Sequence, residues 1–197
     1  MKLFKQFYLP LIVVFVSAGI CATPLNELLE FDRANIHAGQ WWLLLTGHLS
    51  HLDWPHWFLN NAALLIIWEL FYRNYNAFKA CVEFVILAMA IGSGIYLFNP
   101  DVQWYVGLSG ILHGMFAIGV MGEIFQKRRL SYLVGCVFAA KIIWEQTIGI
   151  TTGFLFDPEE ILVDAHLYGA ITGVVVAIIY KLPQLVNKTN LQKRRAS

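Results

Sequence analysis

The chain has 197 residues, 58% of them hydrophobic and 15% aromatic, and only 14% are charged, against about 25% in an ordinary soluble domain. Mean hydropathy is +0.58 and formal net charge +1. These values exclude a disordered chain, a nucleic-acid binder and an ordinary water-soluble globule, and describe a polytopic membrane protein. The three cysteines, Cys21, Cys81 and Cys136, fall in separate apolar segments without a Cys-x-x-Cys pair. That spacing excludes a disulfide framework or zinc knuckle and marks them as small packing residues.

Six segments approach the roughly 20 apolar residues that a spanning helix needs. They are 7–23, 55–72, 78–98, 107–125, 131–150 and 161–182. They leave no room for a soluble domain, so the expected fold is a single all-α membrane domain, residues 1–197, with six transmembrane helices. Basic residues fall in alternate loops: Lys2 and Lys5, then Arg73 and Lys79, then Lys127, Arg128 and Arg129, then a basic tail over 183–197. The other loops carry Glu27, Glu30 and Asp32, then Asp101, then Asp157, Glu159 and Glu160, with Arg33 the exception. The positive-inside rule therefore puts both termini in the cytoplasm. The apolar run behind Lys2 and Lys5 also has the outline of a signal peptide. Ile20 is a poor residue three before a cut after Ala22, and the run is read as a retained span. The outer loop, 24–54, is only partly polar; Trp41, Trp42 and Trp54 are amphipathic rings suited to the membrane interface.

Polar groups inside a bilayer are costly, so each is a functional candidate. At 1.5 Å per residue, His56 and Asn60 on the second span, Ser109 at the start of the fourth and His166 near the start of the sixth lie at one depth. All sit in the outer part of the membrane. Together they can perform acyl transfer. Serine is a weak nucleophile until a base takes its proton, and histidine titrates in the right range. The His56 ring, the Asn60 amide and the Ser109 backbone N–H can serve as oxyanion donors. Gly107 and Gly110 let the backbone bend around the serine. The pairs Gly110/Gly114 and Gly169/Gly173 have the small-xxx-small spacing that lets two membrane helices cross closely.

These residues resemble the rhomboid family of intramembrane serine proteases. The likeness runs from about Trp42 to Gly173 and rests on three motifs: His51, His56 and Asn60 as His-x4-His-x3-Asn; Gly107-Leu108-Ser109-Gly110; and Ala165-His166-Leu167-Tyr168-Gly169 with Gly173. It implies a Ser109–His166 dyad without a catalytic carboxylate, an oxyanion hole of His56, Asn60 and backbone N–H groups, and no cofactor. Within the family the chain is most similar to the rhombosortases, on its minimal core, Thr46-Gly47-His48 and His113-Gly114. That implies a bacterial inner-membrane enzyme open to the non-cytoplasmic side. Its substrates would be single-pass proteins with a C-terminal Gly-Gly site, an apolar helix and a basic cluster. Two departures stand out. Trp42-Leu43 replaces the family's Trp-Arg, so the outer loop must be anchored otherwise. His113 stands where many members have a tyrosine packed on the catalytic histidine; it can stack, donate a hydrogen bond or tune His166.

Three other readings compete. His48, His51 and His56 can be read as a metal site, but no HExxH is present and only Asp53 adds an acidic ligand; no metal is expected. Glu69, Glu83, Lys141, Glu145 and Asp164, in or near spans, suggest a transporter, although no inverted repeat is present. A catalytically inactive rhomboid-like binding protein is the third. On the fifth span, Lys141 and Glu145 share a helix face. They form either a packing ion pair or, with Gln146 and the fifth helix as the lateral gate that the resemblance implies, a grip on an unwound glycine-rich substrate.

Overall fold

The computed structural model describes residues 4–72, 77–149 and 161–196. The loop acids Asp157, Glu159 and Glu160, together with Lys2 and Arg73, lie outside the described residues. The chain is mostly helical. Six long helices follow the six apolar segments: α1 (Phe4–Cys21), α5 (Trp54–Phe71), α6 (Ala77–Phe98), α7 (Ser109–Phe125), α8 (Arg129–Thr147) and α9 (Val163–Ala196). The outer loop folds into α2 (Leu25–Leu29), β1 (Phe31–Asp32), α3 (Arg33–His37) and α4 (Leu43–Thr46). A second strand, β2 (Trp104–Tyr105), precedes α7. By length and apolar content, Phe78–Phe98 and Val163–Leu182 suffice to cross a membrane, while Phe7–Cys21 and Ser109–Phe125 are shorter apolar helices. The other two are diluted by polar side chains, Asn60, Asn61 and Glu69 on α5 and Lys141, Glu145 and Gln146 on α8.

The last helix outruns its expected end at 182 and continues to Ala196. Hydropathy stops at Leu182, but Leu, Gln, Lys and Arg are good helix formers, so the backbone carries on. Cys81 and Cys136 are exposed on the outer surface rather than packed inside.

α7 stands at the centre, with Gly110 through Val120 almost entirely buried. Its closest neighbour is α9, and the glycines are the reason. A Cβ on Gly169 would collide with the Gly110 carbonyl oxygen, and one on Gly173 with that of Gly114. In return, a Cβ on Gly110 would stand 2.9 Å from the Ala165 carbonyl oxygen. The two backbones thus touch along one seam, as the paired spacing predicts.

The outer loop is pinned to the site by a short ladder and an arginine. β1 pairs antiparallel with β2, Phe31 opposite Tyr105 and Asp32 opposite Trp104. The Gly107 N–H donates to the Gly47 carbonyl at 3.1 Å. Arg33 donates from Nε to Val102 at 2.7 Å, from Nη1 to Tyr96 at 2.9 Å, and from Nη2 to Ile95 at 3.0 Å and Asn99 at 2.8 Å. The guanidinium therefore caps the C-terminal carbonyls of α6 and binds the loop to that helix end. It supplies the polar anchor that Trp42-Leu43 lacks. A helix-end site with four acceptors in different directions needs a planar fork, so lysine cannot replace it.

Two substitutions test this architecture by thermal unfolding in detergent. Gly169→Ala is expected to cost about 2–3 kcal/mol, because backbone on the facing helix cannot yield as a side chain can. Gly19→Ala, on α1 with nothing within 4 Å of the added methyl, is expected to be neutral or slightly stabilising. Equal effects at the two positions would contradict the seam.

Candidate active site

Ser109 is the first residue of α7 and His166 lies in the first turn of α9. The glycine seam holds these two helix starts together, and the Ser109 hydroxyl lies 3.0 Å from His166 Nε2. The other ring nitrogen, Nδ1, faces the Glu145 carboxylate at 3.2 and 3.3 Å. Glu145 Oε2 also accepts from the Lys141 ammonium at 2.6 Å. Bonded by an ammonium, which can only donate, this carboxylate is an acceptor, so Nδ1 carries the proton. The lone pair of Nε2 is then directed at the serine hydroxyl, the arrangement of a general base.

His113 completes the cluster. Its ring stacks on that of His166, centroids 4.0 Å apart and planes 18° from parallel. Its Nδ1–H donates to the Ser109 carbonyl at 2.7 Å, and its Nε2 accepts from Lys141. Stacking and hydrogen bonding thus coexist at this position. Beside the Ser109–His166 pair that the family resemblance implied, a buried carboxylate, Glu145, stands behind the histidine.

The opposite wall comes from α5. Asp53 caps that helix by accepting from the His56 N–H at 2.8 Å, with Pro55 in the first turn. Leu52 N–H donates to His56 Nδ1 at 3.5 Å, which leaves the proton on Nε2. Asn60, one turn deeper, is buried, and its amide nitrogen has no hydrogen-bond partner among the described residues. Gly107 adopts φ +113°, and a Cβ there would lie 2.7 Å from His56 Cε1 and 3.5 Å from the Asn60 amide nitrogen. The glycine therefore supplies both a backbone that other residues resist and the room for two donors beside Ser109. Tyr105 fixes this turn from behind, its hydroxyl donating to the Gly107 carbonyl at 3.0 Å.

A cavity of about 510 Å³ opens between α5, α7 and α8 and is lined by Ser109, His166, His56, Asn60, His113 and Lys141 together with apolar side chains such as Phe116 and Phe138. Glu145 does not line it. Gln146 is exposed and donates to the Val163 carbonyl at 3.1 Å, tying the end of α8 to the start of α9. Gly110 and Gly169 belong to the seam. His51 lies behind His56, ring centroids 5.2 Å apart, and its backbone is held by the Asn26 amide, whose nitrogen donates to the His51 carbonyl and whose oxygen accepts from the His51 N–H. His48 bonds the Ala88 carbonyl on α6. Burial lowers the pKa of both rings to about 4, with His56 adding to the effect at His51. Both are therefore neutral near pH 7.

Among the described residues, His48, His51 and His56, the trio of the metal reading, do not bring their ligand atoms together. A different set does: His113, Glu145 and His166 offer ligand atoms within 4.8 Å of one another. The Lys141 ammonium bonds two of its members, His113 and Glu145. Of the charges that suggested a transporter, Glu83 pairs with Lys79 at 3.4 Å, Asp164 accepts from Asn99, and Glu69 is exposed. Three roles were missed in the sequence: Arg33 and Tyr105 as clamps, and Glu145 as the partner of His166. The pairing of Lys141 with Glu145 was legible from spacing, but their reach to another helix was not.

Residues 38–182 match the rhomboid domain. A Bacillus subtilis (strain 168) protein named "Putative rhomboid protease YdcA" is 22% identical over 141 residues, 72% of this chain and 68% of that protein. With the domain matched over most of its length, the chain belongs to the rhomboid family, integral membrane proteins that act as serine proteases.

Proposed function

We propose that this chain is an intramembrane serine endopeptidase in which Ser109 is the nucleophile and His166 the general base. The observation that carries this reading is the 3.0 Å contact between the Ser109 hydroxyl and His166 Nε2 at an open cavity. Attack of Oγ on the scissile carbonyl carbon forms the C–O bond, moves the π pair onto oxygen and passes the hydroxyl proton to Nε2. Collapse breaks the C–N bond, and Nε2–H protonates the leaving amine. The His56 ring, the Asn60 amide and the N–H groups at the start of α7 stabilise the oxyanion, the last because they have no partner within the helix. Water then releases the acyl group.

The membrane setting has support beyond the family. Large apolar side chains point outward from five of the long helices, among them Phe15, Phe58, Phe98, Leu133 and Ile171. Polar ones, Ser17, Asn61, Glu83 and His166, are buried. That is the inverse of a water-soluble surface. We read α1 and α5–α9 as six spans, with both termini cytoplasmic and the cavity open to the other side of a bacterial inner membrane. The substrate is a single-pass protein whose small-residue site unwinds readily, since glycine destabilises a helix by about 1 kcal/mol relative to alanine. The resemblance to rhombosortases directs the search to secreted proteins with a C-terminal Gly-Gly site, apolar helix and basic cluster.

In proteoliposomes with such a substrate, Ser109→Ala and His166→Ala are each expected to abolish cleavage, and the double variant to be no worse than either. Appreciable cleavage by folded Ser109→Ala would refute the mechanism. Asn60→Ala is expected to lower turnover by about 10²–10³; a parental rate would remove its amide from the oxyanion site.

A further inference from the structure

We infer that Glu145 is a positioning residue for His166, so that the centre is a Ser109–His166–Glu145 triad whose carboxylate is clamped by Lys141. This rests on the proposed protease reading and adds to it a third residue, carried by a different helix.

Four observations carry it. Glu145 meets Nδ1 with both oxygens within 3.3 Å. Its side chain is only 9% exposed, whereas that of its partner Lys141 is 41% exposed. An ion pair serving only the fold of α8 needs no buried carboxylate: turning the acid inward costs desolvation that one partner offsets poorly. The inward turn is accounted for when the second partner is His166. Next, Glu145 does not line the cavity, so a substrate strand would meet Lys141 before it met the carboxylate. Last, His113 stacks on one face of the imidazole and also bonds Lys141. Held at Nδ1 by Glu145 and flanked by His113, the ring has one useful orientation, with Nε2 toward Ser109.

The consequence is chemical. When Nε2 takes the serine proton, an imidazolium forms in an apolar cavity where water cannot solvate it well. Glu145 stays ionised throughout, accepts the Nδ1–H bond and offsets that charge. No proton passes to the carboxylate. Removing it takes away both tautomer control and charge stabilisation.

The test is the split between kcat and KM for a single-pass Gly-Gly substrate in proteoliposomes, with thermal unfolding of each variant. Glu145→Gln is expected to lose at least a hundredfold in kcat, with KM within threefold and the unfolding temperature within a few degrees of the parent. The charge-free variant Lys141→Met/Glu145→Gln leaves no orphaned ion, so it keeps the test alive if the single variant does not fold. It is expected to show the same loss of kcat. Recovery of parental kcat in that double variant would reduce Glu145 to a structural ion-pair partner. A rise in KM with kcat unchanged would assign it to substrate contact. Either result overturns the triad while leaving the protease intact. A parent chain that cleaves nothing would instead overturn the protease reading on which the triad rests.

Discussion

Backbone-to-backbone contact between α7 and α9 is the constraint on which the rest of the molecule depends. A lipid bilayer gives two apolar helices no hydrophobic reason to prefer each other over lipid tails, so their association rests on close packing. Four glycines provide it, each standing where a methyl would strike a carbonyl oxygen or another close neighbour across the seam. The seam begins beside Ser109 and His166, so close packing and the 3.0 Å hydrogen bond have the same origin. A looser crossing would separate the two side chains by more than a hydrogen bond can bridge. The outer-loop clamps then set the third wall. Arg33 locks the loop to α6, the β1–β2 ladder carries that rigidity to Tyr105, and Tyr105 fixes the turn at Gly107 that faces His56 and Asn60.

The remaining helix in the site behaves differently. α8 buries only Ile142 and Glu145, while Leu130, Leu133, Val137, Ile143 and Trp144 point outward. Its grip on the bundle is therefore polar as much as apolar: Glu145 to His166, Lys141 to His113, and Gln146 to the Val163 carbonyl. In a low-dielectric setting such bonds are strong when satisfied and costly when broken. α8 is thus attached through the groups that surround His166. Displacing α8 would break its bonds to His166 and His113.

Much of this was legible in the sequence, for physical reasons that can be named. The six helices follow from runs of apolar residues, and the convergence of Ser109, His166, His56 and Asn60 follows from depth along helices of alternating direction. The glycine pairs announced the crossing because small residues at four-residue spacing have few other uses on two facing helices. What stayed hidden were contacts whose geometry depends on how helices rotate about their axes. Lys141 and Glu145 share a face by spacing alone, but whether that face meets lipid, substrate or His166 is decided by the packing of α8 on α7 and α9. Arg33 looked like an exception to the charge pattern of the loops, and only the fold shows it capping α6. The helical continuation past Leu182 was hidden because hydropathy marks where apolar residues end, not where the helix does.

The most direct test is covalent labelling of the reconstituted protein with a fluorophosphonate, followed by mass spectrometry of the adduct. The phosphonyl group reacts with a serine only where a base has activated the hydroxyl. Adduct on Ser109 in the parent chain, and its loss in His166→Ala with the fold retained, is the predicted result. Undiminished labelling of Ser109 in His166→Ala, or no adduct on Ser109 in a parent chain that cleaves substrate, would contradict the account.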